Sequence, residues 1–261
     1  MLRGESNDLN GDPHFRTWSG LQFDFHGGCD LVLLNNPSFA DGLGLTIHIR
    51  TAIQTWWSYI ATAAIQIGDE ILEVTGGTGK IPYYINGVLT DDMKTGDATL
   101  AGFNVHFRRT NDLQSHIRID LGNGDAISFE TFKSFVRVNV NDKTGKSFAN
   151  SVGLLGSYPT GQKIARDGET IMEDANEFGR EWQVRASEPH LFQEVVGPQH
   201  PAKCTMPDET KKATERRRLG EAVLTENDAA MACSHIVSNK DRDGCIFDVL
   251  ATNDLDMAGS Y

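Results

Sequence analysis

The chain has 261 residues, 39% of them hydrophobic and 23% charged, with a formal net charge of −12 at neutral pH. This is an ordinary globular composition with enough length to bury a substantial core. Acidity spread along the sequence repels phosphate backbones and argues against a nucleic-acid partner, and no apolar run reaches membrane-spanning length.

The opening residues, MLRGESNDLN, hold no apolar segment of the secretory type, so an exported chain would carry its signal outside them. From residue 14 to about 140 the sequence reads as strands. FRTW, LQFDF, CDLVLL, LTIHIRT, YIATAAIQI, EILEV, FNVHFRRT, HIRIDL, AISFE and FVRVNV are short runs rich in β-branched and aromatic residues. Turn clusters such as DGLG, TGGTG, INGV, LGNGD and NDKTG separate them. Ile117, Ile119 and Leu121 face one way while Arg118 and Asp120 face the other, and Val136, Val138 and Val140 share a face. Antiparallel strands with one buried side have that pattern. Many short strands with no helices between them predict a mostly β sandwich or barrel.

The pattern changes near residue 187. SEPHLFQEVVGPQHPAKC carries three of the eight prolines and reads as a linker. PDETKKATERRRLGEAVLT then opens with a proline and two acids, a helix start, with Leu219, Ala222 and Val223 at helical spacing. TENDAAMACSHIV sets Ala229, Ala232, Cys233 and Ile236 on one face, with Thr225 as the N-cap. CIFDVLATNDLDMA places Phe247, Leu250 and Ala251 on another such face. NKDRDG at 239–244 mimics the start of a calcium loop but has Leu250 at the twelfth position, so it reads as a solvated turn between helices.

Unusual chemistry concentrates in Gly11-Asp12-Pro13-His14. The Asp12 carboxylate can attack its own backbone carbonyl and form a five-membered anhydride. The tertiary nitrogen of Pro13 is comparatively basic and leaves readily once protonated, and His14 is a candidate proton donor. The plainer role is a rigid turn, in which Pro13 fixes its own φ and restricts Asp12 to extended geometry.

Conventional catalysis finds little support. The eight histidines are scattered, and no His-Glu-x-x-His, Gly-x-Ser-x-Gly or P-loop pattern occurs. TGGTGK at 75–80 reads as a hairpin turn. The adjacent acids Asp91-Asp92 and Glu173-Asp174 read as solvated rather than as a glycosidase pair. Of Trp56 and Trp57, one ring is expected in the core and one over a neighbouring loop, with a subunit or glycan contact as the sharper alternative. The run KKATERRR reads as the outer face of a helix. Cys29, Cys204, Cys233 and Cys245 permit three pairings, and four reduced thiols in a cytosolic chain are the alternative.

GDPHFRTWSGLQFDFHGGCDLVLL closely resembles the opening strands of von Willebrand factor type D domains. GLLGSYPTG at 153–161 and NEFGREWQV at 176–184 stand where that family carries a Gly-Leu-Cys-Gly-Asn turn, then Phe-Gly and a Trp-x-Val strand. ACSHI and CIFDVLATNDLDMA are a weaker match to the cysteine-bearing helical module that often follows. The resemblance implies two stacked antiparallel sheets over 9–186, a linker at 187–206 and a small α-helical unit at 207–261. It also implies a Cys29–Cys204 disulfide, leaving Cys233 to pair with Cys245.

Departures from the family pattern matter as much. No cysteine precedes Cys29, and Leu155 stands where the Gly-Leu-Cys-Gly turn has its cysteine. Ser19 and Ser157 replace an aspartate and an asparagine of the family's calcium site, YPTGQKIA offers no carboxylate, and Asp167 is the nearest substitute metal ligand. The implied role is non-enzymatic: extracellular adhesion or mucin-like matrix assembly, with other extracellular proteins, glycans or further copies of the chain as partners. The GDPH motif is associated with self-cleavage in related mucin-type sequences, here at Asp12-Pro13. The alternative is an interaction module of a larger receptor- or lipoprotein-like chain in which the motif only shapes the strand.

Overall fold

Period-two alternation puts one stripe of each strand on an apolar face, and two such faces must cover each other. The computed structural model of the chain describes residues 6–8, 14–54, 56–77, 83–90, 96–193, 204–208, 210 and 224–261. One six-stranded sheet runs in sequence order through β4 (Asp30–Asn36), β5 (Leu45–Gln54), β6 (Trp57–Ile67), β7 (Glu70–Thr75), β8 (Tyr83–Ile85) and β9 (Val88–Thr90). The other holds β10 (Gly96–Leu100), β11 (Phe103–Arg109), β12 (Gln114–Gly122), β13 (Asp125–Phe132) and β14 (Phe135–Asn141), with β1 (Ser6–Asp8) along the outer edge of β14. Every pairing is antiparallel. The fold is an antiparallel two-sheet sandwich with helices at its C-terminal end.

Ile47, Ile49, Ile65 and Val74 from one sheet and Ile117, Ile119, Phe129 and Val138 from the other belong to one buried cluster. Each such side chain contributes about 1.5–3 kcal/mol by leaving water. Asn86 and Gly87, both at positive φ (49° and 77°), make the tight turn that joins β8 to β9.

Strand β4 is buried along nearly all its length because its free edge is covered. Leu154 donates its N–H to the Val32 carbonyl at 3.1 Å and Val32 donates to Trp182 at 2.8 Å. A side-chain carbon on Gly153, at φ 133°, would lie 2.5 Å from the Leu33 carbonyl oxygen, so only glycine lets the GLLG turn approach. The segment expected as a linker is packed where it is described: Leu191 and Phe192 are buried over Ala64 on the outer face of the first sheet. The Arg50 guanidinium lies 4.4 Å from the Phe192 ring and holds buried Asp30 with two hydrogen bonds, at 2.7 and 2.9 Å.

Among the described residues, three α-helices and two 3-10 turns lie in the C-terminal third. Helix α1 (Ala175–Glu181) is capped by Asp174. Helix α2 (Glu226–Ala232) is capped by Thr225 in a capping box with Asp228 and runs into a 3-10 turn at Cys233–His235. Helix α3 (Asn239–Thr252) follows Ser238, whose hydroxyl accepts the Asp241 N–H. A final 3-10 turn spans Leu255–Ser260.

Two sequence expectations are corrected here. NKDRDG is the first turns of α3 rather than a turn between helices, because Ser238 caps it and Asp241 suits the positive end of the helix. The deeply buried face of α3 carries Cys245, Asp248 and Val249, while Phe247, Leu250 and Ala251 are half-buried on its flank. The helix expected across KKATERRR lies outside the described residues.

Candidate functional site

Asp12 and Pro13 lie outside the described residues; the chain is described again from His14. His14 opens a two-stranded hairpin, β2 (His14–Arg16) with β3 (Gln22–Asp24), in which His14 stands opposite Asp24. The turn closes on itself: Thr17 donates its N–H to Leu21 at 2.9 Å and Gly20 donates to Thr17 at 2.8 Å. Cross-strand pairing brings Nδ1 of His14 within 2.6 Å of the Asp24 carboxylate. Partial burial pushes the Asp24 carboxyl up, but the hydrogen bond and charge of His14, with the charge of His26, outweigh it and hold Asp24 below the ordinary carboxylate value. A histidine beside an ionised carboxylate is suited to carry and release a proton.

Helix α3 covers this hairpin. The Phe247 ring lies 5.8 Å from the His14 ring at 82° and 6.1 Å from the His26 ring at 24°. Asp241 pairs with Arg16. Trp57 is buried and stacks on Phe135 at 5.9 Å, while half-buried Trp56 meets Phe247 at 5.6 Å. Both tryptophans therefore belong to the seam between strands and helices.

The three quoted motifs meet beside the same hairpin. Phe23 packs on Phe178 of the NEFG segment at 5.4 Å, and a side-chain carbon on Gly179 would fall 2.4 Å from the Phe25 ring. Trp18 donates its N–H to the Leu155 carbonyl at 3.0 Å, and Leu155 is itself buried. The Trp182 indole donates to the Ile164 carbonyl at 3.1 Å. At the centre, Cys29 is bonded to Cys204 with 5.1 Å between Cα atoms, flanked by mutual Gly28–Thr205 backbone hydrogen bonds at 2.7 and 3.3 Å. Cys233 is bonded to Cys245 across the α2–α3 connection.

Ser19 and the loop from Ser157 are brought together. A side-chain carbon on Gly161 would lie 2.4 Å from the Ser19 nitrogen, so the two segments touch through backbone. Neither contributes a carboxylate. Asp167 lies in a turn of its own: the Thr170 hydroxyl and the N–H groups of Thr170 and Glu169 donate to its carboxylate and bring its pKa down to about 2. Among the described residues no group of three or more His, Cys, Asp and Glu side chains is arranged to hold a metal ion. Asp174 is spent capping α1, and Asp91 and Asp92 lie outside the described residues.

Sequence reasoning passed over Asp24, Phe247 and Asp241 as parts of this site. The first was within reach: a hairpin closing at Arg16 opposite Gln22 must set residue 14 opposite residue 24. The other two come from a helix more than two hundred residues away, and no local pattern announces them.

No family model matches the chain. A human protein, the IgGFc-binding protein, is 27% identical over 180 residues, which is 67% of this chain. The chain spans 3% of the length of that relative. No helix among the described residues is long and apolar enough to cross a membrane, and two disulfides fit an oxidising compartment.

Proposed function

We propose that the chain is a non-enzymatic extracellular module of the von Willebrand factor type D kind, a β domain over 9–186 followed by a helical module over 207–261, working in adhesion or matrix assembly. The observation that carries this reading is the convergence of the GDPH-containing, GLLG and NEFG segments, distant in sequence, around the Cys29–Cys204 bond.

Within that module the Asp12–Pro13 bond breaks by itself in mild acid. The Asp12 carboxylate attacks its own carbonyl carbon, the bond to Pro13 breaks, and the departing nitrogen takes a proton. The His14–Asp24 pair supports this assignment because it holds an imidazole, a group able to donate a proton, on the residue next to Pro13 in the chain. Water then opens the cyclic anhydride, or a lysine or hydroxyl of another chain captures it as a crosslink. Denaturing intact-mass measurement over a pH series tests the reading. Loss of residues 1–12 is expected, faster below neutrality, and Asp12→Asn should abolish it; an uncut wild-type chain at every pH ends the proposal.

A second reading has one observation behind it, the relative named for binding IgG Fc. There the module binds an immunoglobulin constant region and the tetrapeptide only shapes the strand. Titration of immobilised Fc with the full chain separates the two: saturable binding by an uncut protein favours the second.

A further inference from the structure

The small hairpin that carries Asp167 has one edge turned to solvent. Its arms pair through Ile164 opposite Ile171, with Ala165 donating to the Thr170 carbonyl at 2.8 Å and Met172 to the Lys163 carbonyl at 2.8 Å. In that antiparallel pattern the two opposed residues turn their own N–H and C=O groups outward. The Ile164 carbonyl meets the Trp182 indole. The N–H and carbonyl of Ile171 have no partner among the described residues. One residue therefore offers both of the main-chain bonds that an added strand exchanges with its neighbour.

Ile171 is also one wall of a cleft of about 360 Å3 between the β2–β3 turn and this hairpin. Leu21 and half-buried Met172 line it on the apolar side, Gln162 and Glu173 on the polar side. Leu21 is 52% exposed and Ile171 59%, so two of the eight large apolar side chains left in water among the described residues meet at one place. The Glu173 carboxylate has no partner among the described residues, whereas Lys163 is already committed: its ammonium donates to the Glu173 backbone carbonyl and lies 5.8 Å from the Phe23 ring. None of the lining side chains is aromatic, which leaves a sugar no flat face to stack on.

We propose that this cleft accepts one extended segment of a partner protein, added as a short strand. The segment's main chain pairs with Ile171, an aliphatic side chain enters between Leu21, Ile171 and Met172, and a flanking lysine or arginine meets Glu173. Main-chain pairing of this kind supplies affinity, and the side-chain pocket supplies choice. Basic flanks follow from charge: the uncommitted charge at the cleft is a carboxylate, and the whole chain carries −12. The site stands whether or not the Asp12–Pro13 bond breaks.

The test titrates the full chain into fluorescently labelled, end-blocked heptapeptides at about 0.15 M salt, where diffuse attraction is screened, and reads anisotropy. The first probe is Lys-Thr-Lys-Leu-Lys-Thr-Lys; the second has serine for leucine, and the third has glutamate for every lysine. Saturable binding of the first is expected, with the second about ten-fold weaker and the third at least about three-fold weaker. Leu21→Ser and Ile171→Ser should each weaken the first probe about ten-fold. Ile171→Pro keeps an apolar side chain but removes an N–H that the fold does not use, and should lose binding. Glu173→Gln should narrow the gap between the first and third probes. Leu21 is on the surface, so Leu21→Ser answers the question even where Ile171→Pro fails to fold. No saturable binding of the first probe, or undiminished binding by folded Leu21→Ser and Ile171→Ser, overturns the inference. So does self-association of the chain that Leu21→Ser abolishes while no peptide binds, which would give the cleft to a second copy.

Discussion

The β sandwich and the C-terminal helices solve the same problem at different scales. The sandwich has its own core, drawn from both sheets and sealed by fully buried Phe15, Phe25, Phe129 and Phe148. The helices bury little by themselves: Ala229, Cys233, Cys245, Val249, Met257 and Ala258, completed by Trp57 and Phe135 from the strands. Lys133 pairs with Asp254 and Asp256, and Arg137 lies 4.9 Å from the Tyr261 ring, so charge also ties the two. A unit this small lacks the apolar area to stand alone. It borrows a wall from its neighbour and adds a short staple.

That contrast can be broken from either side. Replacing Cys29 and Cys204 together by alanine reopens a loop of 175 residues and is expected to cost about 5 kcal/mol, read as a lower denaturation midpoint for the whole chain. The same change at Cys233 and Cys245 reopens 12 residues and should cost about 3 kcal/mol. Its effect should be local, with earlier loss of helical circular dichroism and early proteolysis within 224–261 while the β signal persists. Coincident loss of both signals would mean that the helices are not a dependent unit.

Smaller changes sharpen the comparison. Buried Asp125 accepts from the backbone of Lys143 and Thr144 and from the hydroxyls of Thr144 and Ser147. Burial raises its carboxyl, but those donors outweigh it and the net displacement is downward. A carboxyl lower in the folded than in the unfolded chain contributes stability above its ordinary value and loses it as pH falls through the lowered one. Asp125→Asn should therefore cost about 2 kcal/mol at neutral pH and flatten the acid limb of the stability curve. Thr225→Ala removes one half of the α2 capping box and should cost about 1 kcal/mol, confined to the helical signal.

The sandwich was legible because period two is a strong signal: the stripes at 117–121 and 136–140 are buried as read. Strands β8 and β9 were not, since three residues on either side of Asn86-Gly87 are too few to show a period. NKDRDG misled because Asn, Asp and Gly favour turns locally, and a serine cap with a packed helix behind it overrode them. The partners of His14 divide the same way: Asp24 follows from hairpin register, whereas Phe247 and Asp241 follow from how two remote pieces dock.

Both sheets are built from consecutive strands, so nearly every ladder forms between neighbours in the chain. No cysteine lies between positions 29 and 204. As this stretch leaves the ribosome, both layers have been synthesised before Cys29 can meet Cys204. Bonding to Cys204 is thereby timed as a closing act, after the strands it staples already exist.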